Sequence, residues 1–190
     1  MKNPLMLETK VQKKIELQSG LGWPIEPRLP LLCIPTELTE DKGASLFQSV
    51  LPGLLSLPLQ ILVRGCGRES YGNYISKVQK EYEHKIAIIP NTEEALQNMH
   101  AAADMALFCS DPDGLPELSA CLKAGIVPIT SETQALDDYN PLQESGTAFF
   151  FTEKTPWHCF AAITRATETY RFPFDWKTIQ KECMRNTWQN

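Results

Sequence analysis

The sequence predicts a doubly wound α/β domain on a parallel sheet, and three observations carry that prediction. Short, almost wholly apolar runs recur along the chain, among them Leu31 to Thr36, Leu59 to Val63 and Met105 to Cys109. Between them lie stretches with apolar residues at helical spacing; Asp41 to Leu57, with Leu46, Val50, Leu54 and Leu57, is the clearest. The turns that leave these runs are rich in Gly, acids and hydroxyls, as in Ser110-Asp111-Pro112-Asp113-Gly114-Leu115-Pro116-Glu117. Strands buried on both faces read as continuous apolar runs, and right-handed crossovers then lay helices on both sides of the sheet.

Taken in order, Lys2 to Ser19 is a charged helix candidate stopped by Gly20 and Gly22, with Trp23-Pro24 and Pro27 opening a loop. The first βαβ unit runs from Leu31–Thr36 through Asp41–Leu57 to Leu59–Val63. A helix from about Tyr71 to Glu83, a strand Lys85–Ile89, a helix Thr92–Ala103 and a strand Met105–Cys109 follow. Next are a helix from Gly114, a strand Ile126–Thr130, a short helix near Gln134 and a strand Thr147–Phe151. Two helices close the chain, about Trp157–Tyr170 and Trp176–Trp188, with Pro156 near the start of one and Asp175 placed to cap the other.

The 190 residues suit one domain of ordinary soluble composition, 43% hydrophobic and 22% charged. A net charge of −5 offers no basic footprint for nucleic acid. Apolar runs such as Leu51 to Val63 are too short or too broken to span a bilayer, and Met1 to Lys14 is too polar for a signal peptide, so a cytoplasmic protein is expected. Six cysteines lie far apart without a CxxC pair and read as reduced core residues. His84, His100 and His158 lack the close partners a zinc site needs, so no metal or other cofactor is expected.

In such a sheet a ligand sits at the strands' carboxyl ends, and four turns there present candidate residues. In Thr36-Glu37-Leu38-Thr39-Glu40-Asp41-Lys42-Gly43, Lys42 and Gly43 could bring a cation and backbone N–H groups to an anion; equally, Thr39 could cap a helix and Lys42 be solvated. In Arg64-Gly65-Cys66-Gly67, Gly65 and Gly67 serve either a tight turn or the close approach of a phosphate or base. Around Gly114 and Leu115, the acids Asp111, Asp113 and Glu117 either cap the helix or accept hydrogen bonds from sugar hydroxyls. The fourth turn, Ser131 to Asp138, offers Thr133 beside Glu132, Gln134 and Ala135.

The ordered set Lys13-Lys14-x-x-Leu17-Gln18-x-x-Leu21-Gly22-x-Pro24, Leu38-Thr39-x-x-Lys42-Gly43, Ala101-x-Ala103-Asp104, Gly114-Leu115 and Gly125-x-Val127-Pro128-Ile129, closing on Trp176, Met184 and Trp188, resembles the carboxyl-terminal half of a glycogen or starch synthase. These are retaining glycosyltransferases of the two-domain GT-B fold. The resemblance implies residues 1–28 as a helix-and-loop lead-in and 29–190 as the nucleotide-sugar-binding domain, with the amino-terminal GT-B domain absent from this sequence. It implies transfer of glucose from ADP-glucose or UDP-glucose to an α-glucan without a metal, in cytoplasm or plastid. Lys42 and Asp111 take the catalytic places, and Gly43, Gly65, Gly67, Asp113, Gly114, Leu115 and Thr133 line the donor cleft.

Several family residues are altered. The resemblance places Glu37 where the family has a diphosphate-clamping Arg, Asp111 where it has a Glu, Asp113 where it has a Cys, and Gln134-Ala135 where it has Gly-Gly; a basic residue before that turn is Glu132. Replacing Arg by Glu removes charge-assisted hydrogen bonds of about 1.5–3 kcal/mol, which weakens donor binding at least about tenfold. Acids also gather at one mouth, as Glu37, Glu40, Asp41, Asp111, Asp113 and Glu132. A second reading is therefore a non-catalytic relative that binds a glucan or a protein, with Trp23, Trp157 and Trp188 as aromatics for sugar stacking or domain packing.

Overall fold

Leu31–Ile34 (β1), Gln60–Gly65 (β2), Ile86–Pro90 (β3), Met105–Leu107 (β4), Val127–Ser131 (β5) and Phe149–Phe151 (β6) form one sheet in the computed structural model, which describes residues 3–186. Its order is β3-β2-β1-β4-β5-β6, with every neighbouring pair parallel. The central strands are buried on both faces, Leu31 to Ile34 without exception, which is why they read as unbroken apolar runs. The helices are Asn3–Gly20 (α1), Ala44–Leu54 (α2), Glu69–Glu81 (α3), Glu93–Ala102 (α4), Pro116–Lys123 (α5), Pro156–Tyr170 (α6) and Pro173–Asn186 (α7). No helix among the described residues is long and apolar enough to cross a membrane.

The expected strands all form, with ends shifted by at most two residues, while four helix features differ for local reasons. α2 starts at Ala44 instead of Asp41, because Lys42 N–H and Ala44 N–H both donate to Thr39 C=O, and Gly43, at φ 76°, turns the chain just before the helix. Thr39 therefore does not cap α2 through its side chain. α5 starts at Pro116, since Pro112 C=O accepts from Leu115 N–H and residues 112–115 form a turn of their own. No helix forms near Gln134: the Gln134 N–H is taken by the Asp113 carboxylate at 3.3 Å and the Ala135 N–H by Thr133 Oγ1 at 3.2 Å. Asp175 lies inside the first turn of α7, which begins at Pro173.

Polar side chains tie α1 to the body of the fold. Lys14 Nζ lies 2.6 Å from Asp104 Oδ2, both buried, and the same carboxylate oxygen accepts the Leu31 N–H at the start of β1. Gln18 Nε2 donates to Gln60 Oε1 at 2.8 Å, beside the start of β2. Trp23 is buried with its Nε1–H donated to Glu83 C=O, so its role is packing, whereas Trp157 is 81% exposed. Trp188 lies outside the described residues. All six cysteines are free thiols, five buried and Cys66 partly exposed.

Candidate functional site

The chain builds outward from β1 to β2 and β3, then returns to place β4 on the other side of β1, so the strand order reverses between β1 and β4. At such a switch point the turns leaving the two strands part and open a crevice at their carboxyl ends. Gly43 forms the floor of this region. A Cβ built there would stand 2.6 Å from both the Cβ and the carbonyl oxygen of Cys109, at a positive φ, so only a bare backbone lets the two turns touch. Lys42, next to this contact in sequence, is half-buried and forms no ion pair among the described residues.

The turn after β1 is also fastened to the turn after β2. Leu38 N–H donates to Cys66 C=O at 2.8 Å and Arg68 N–H to Leu38 C=O at 2.9 Å, a parallel bridge that continues the sheet beyond its edge. Gly67, at φ 130°, exists for this contact, since a side chain there would collide with the Leu38 backbone. Gly65 packs against β3, 3.0 Å from Ile89 O at its would-be Cβ. Both glycines are thus occupied by the protein's own backbone.

On the opposite side, Asp111 Oδ1 accepts the Asp113 N–H at 3.0 Å, and the Asp113 carboxylate crosses to Gln134. This joins the turn after β4 to the turn after β5 and sets Asp113 beside Thr133. Gly114, at φ 77°, is open to solvent, and Leu115 is the residue from which α5 departs. Asp41 is held below the usual carboxylate range, first by a hydrogen bond from Thr39 and then by the charges of Lys42 and Arg68. Tyr71 donates its hydroxyl to Glu40, which raises the phenol pKa.

A third feature is absent from the sequence reading. Arg64, at the end of β2, donates Nη1 to Glu117 Oε1 at 2.9 Å and to Pro35 C=O at 3.2 Å, and Nε to Asn91 Oδ1 at 2.8 Å. One guanidinium so links the ends of β1, β2 and β3 to the first turn of α5. Glu117, one of the acids offered to sugar hydroxyls, is committed to this pair. The available signal was a charged residue closing the apolar run Ile61-Leu62-Val63, which required a carboxylate from elsewhere in the fold.

No protein-family model matches the chain. Glycogen synthase 1 of Synechocystis sp. is 31% identical over 187 residues, which is 94% of this chain and 39% of that protein. The chain is a relative of the glycogen synthases. It matches their carboxyl-terminal half and spans about two-fifths of the length of the curated relatives it matches. Among solved structures, the catalytic domain of starch synthase IV from Arabidopsis thaliana, bound to ADP and acarbose, superposes with a TM-score of 0.76 at 22% identity, covering 94% of this chain and 39% of that one. HepE from Anabaena in complex with UDP-glucose gives 0.68 at 12% identity, covering 94% and 48%. These glycosyltransferases share the Rossmann-like GT-B architecture of this glycogen-synthase relative.

Proposed function

We propose that this chain is the nucleotide-sugar half of a glycogen- or starch-synthase-like glycosyltransferase, with ADP-glucose or UDP-glucose as donor and little activity by itself. The observation that carries the reading is the reversal of strand order between β1 and β4 in a chain similar to glycogen synthases along nearly its whole length, where the turn holding Lys42 and Gly43 meets the turn that leads into Asp111–Leu115. Arabidopsis starch synthase IV with ADP and Anabaena HepE with UDP-glucose supply the ligand class.

In this reading Lys42 faces the donor diphosphate and offsets charge as the bond between the glucose anomeric carbon and the phosphate oxygen breaks. The acceptor hydroxyl forms the new bond to that carbon from the same face, and its proton passes to the departing phosphate. Gly43, Gly65, Gly67, Asp113, Gly114, Leu115 and Thr133 line or shape the cleft, and Asp111 lies against the transferred sugar. The acceptor wall belongs to a second GT-B domain, which none of these residues forms; 29–190 serve as the donor domain and 1–28 as its lead-in.

Six acids on the turns at the carboxyl edge, Glu37, Glu40, Asp41, Asp111, Asp113 and Glu132, are exposed, and they oppose a diphosphate. Calorimetric titration of ADP-glucose, UDP-glucose and ADP at low salt tests the proposal, with weak binding expected and its loss in Lys42→Ala. Heat that is unchanged in that variant, or absent for all three ligands, would overturn it. The same acids, with the exposed Trp157, favour a second reading: a non-catalytic module that binds an α-glucan or a protein. Co-sedimentation with glycogen, lost in Trp157→Ala, is its test.

A further inference from the structure

A groove of about 900 Å³ lies at the opposite end of the sheet from the carboxyl-edge turns, since Leu29 and Pro30 precede β1, Pro58 precedes β2 and Asp104 precedes β4. Its walls come from α1, the end of α6 and α7. In a chain of net charge −5, this groove is lined by five cations, Lys10, Lys14, Arg28, Arg171 and Lys177, and by one acid, Asp104.

The charges do not cancel. Lys14 and Asp104 neutralise each other at 2.6 Å. Arg171 meets Glu168 in an exposed pair at 3.1 Å, a contact that holds charge weakly. Lys10, Arg28 and Lys177 have no carboxylate within ion-pair distance among the described residues. Lys10 is 5% exposed, and its Nζ donates to His100 C=O at 3.2 Å and Ala124 C=O at 3.0 Å, with the Asp104 carboxylate, already paired with Lys14, as its opposing charge. Burial pulls its pKa down to about 8. One buried carboxylate shared between two buried ammonium groups leaves a net positive charge, and a bound anion offsets it. The rest of the wall is apolar, with Leu29 and Trp176 prominent.

We propose that this amino-end groove binds an organic phosphate monoester, its phosphate among Lys10, Arg28 and Lys177 and its apolar or aromatic body against Leu29 and Trp176. A phosphate monoester fits better than a carboxylate because it carries close to two negative charges at neutral pH and three acceptor oxygens. The volume lies within the range of about 300–1,000 Å³ usual for small-molecule sites. The site is separate from the donor crevice and stands or falls independently of it.

The test is a titration of the ¹⁵N-labelled chain with AMP, with adenosine and inorganic phosphate as the two partial probes. AMP is expected to shift amides of residues 28–30, 104 and 170–180, more strongly than either partial probe. In Arg28→Ala/Lys177→Ala the affinity for AMP should fall by at least about tenfold, the loss of charge-assisted hydrogen bonds at two exposed positions that form no ion pair among the described residues. Shifts confined to the carboxyl-edge turns, no shifts at all, or an unchanged affinity in the double variant would each overturn the proposal. Equal shifts from inorganic phosphate alone would show an adventitious ion only and overturn the organic ligand.

Discussion

Arg64 Nη1 lies 2.9 Å from Glu117 Oε1, joining the end of β2 to the first turn of α5 across the end of β1. Both side chains are mostly withdrawn from solvent, 17% and 23% exposed, so neither charge is easily left alone. Arg64→Met should lower stability by about 1–3 kcal/mol, because Glu117 keeps its charge without a partner. Adding Glu117→Gln should restore part of the loss, giving a coupling of about 0.5–3 kcal/mol in a double-mutant cycle read by urea unfolding. Strict additivity of the two single changes would contradict the pairing.

Gly43 and Gly114 share a positive φ, 76° and 77°, but only Gly43 is crowded. Gly114→Ala should cost about 1–2 kcal/mol, the backbone term alone. Gly43→Ala adds a collision with Cys109 and should cost clearly more, with a lower melting temperature and loss of donor binding together. Equal costs for the two variants would mean that the turns after β1 and β4 do not touch.

The Lys14–Asp104 pair fastens α1 to the sheet. Lys14→Met strands a buried carboxylate and should destabilise by about 3–5 kcal/mol. Lys14→Met/Asp104→Asn should recover part of this. Thermal unfolding followed by circular dichroism decides, and a loss below about 1 kcal/mol in the single variant would refute the burial of the pair.

Alkaline pH should loosen the fold. The Cys109 and Cys121 thiols, hydrogen-bonded to Cys159 and Cys33 and buried, are raised well above the usual thiol pKa of 9.0, and burial pushes Cys183 up as well. Above pH 9 the unfolded chain gives up protons that the folded chain keeps, so stability falls as pH rises. Lys10, lowered from 10.5 to about 8, and Lys85, lowered by burial, work in the opposite direction, against the thiols and the raised phenols of Tyr71, Tyr139 and Tyr170. Urea midpoints should decline between pH 9 and pH 10, less steeply in Cys183→Ala. At pH 8 a thiol reagent should modify Cys66 readily and the five buried thiols only on unfolding.

The strands were legible because burial on both faces writes itself into consecutive residues: Ile61-Leu62-Val63 needs no tertiary information to be recognised. Helix starts were less so, since at Gly43 and at Pro112–Leu115 local turns use the N–H and C=O groups that a propensity reading gives to the helix. The helix expected near Gln134 failed on a single long-range bond from Asp113, 21 residues away. Lys14 and Asp104, quoted as motif residues, prove to hold the scaffold together, so part of the family pattern records packing and not chemistry. Arg64 and Glu117, 53 positions apart, leave no local pattern, and only the folded sheet edge brings them together.

The bridge between Leu38 and Gly67 bears on how this protein could change over time. The segment that carries Glu37 is held by main-chain bonds on either side, and the Glu37 side chain itself is exposed. Substitutions at position 37 should therefore have little structural consequence, and the sign of the charge there is set independently of folding. The same decoupling lets the charge be reversed in one step: Glu37→Arg would put a cation on a backbone whose bonds do not depend on the side chain at 37.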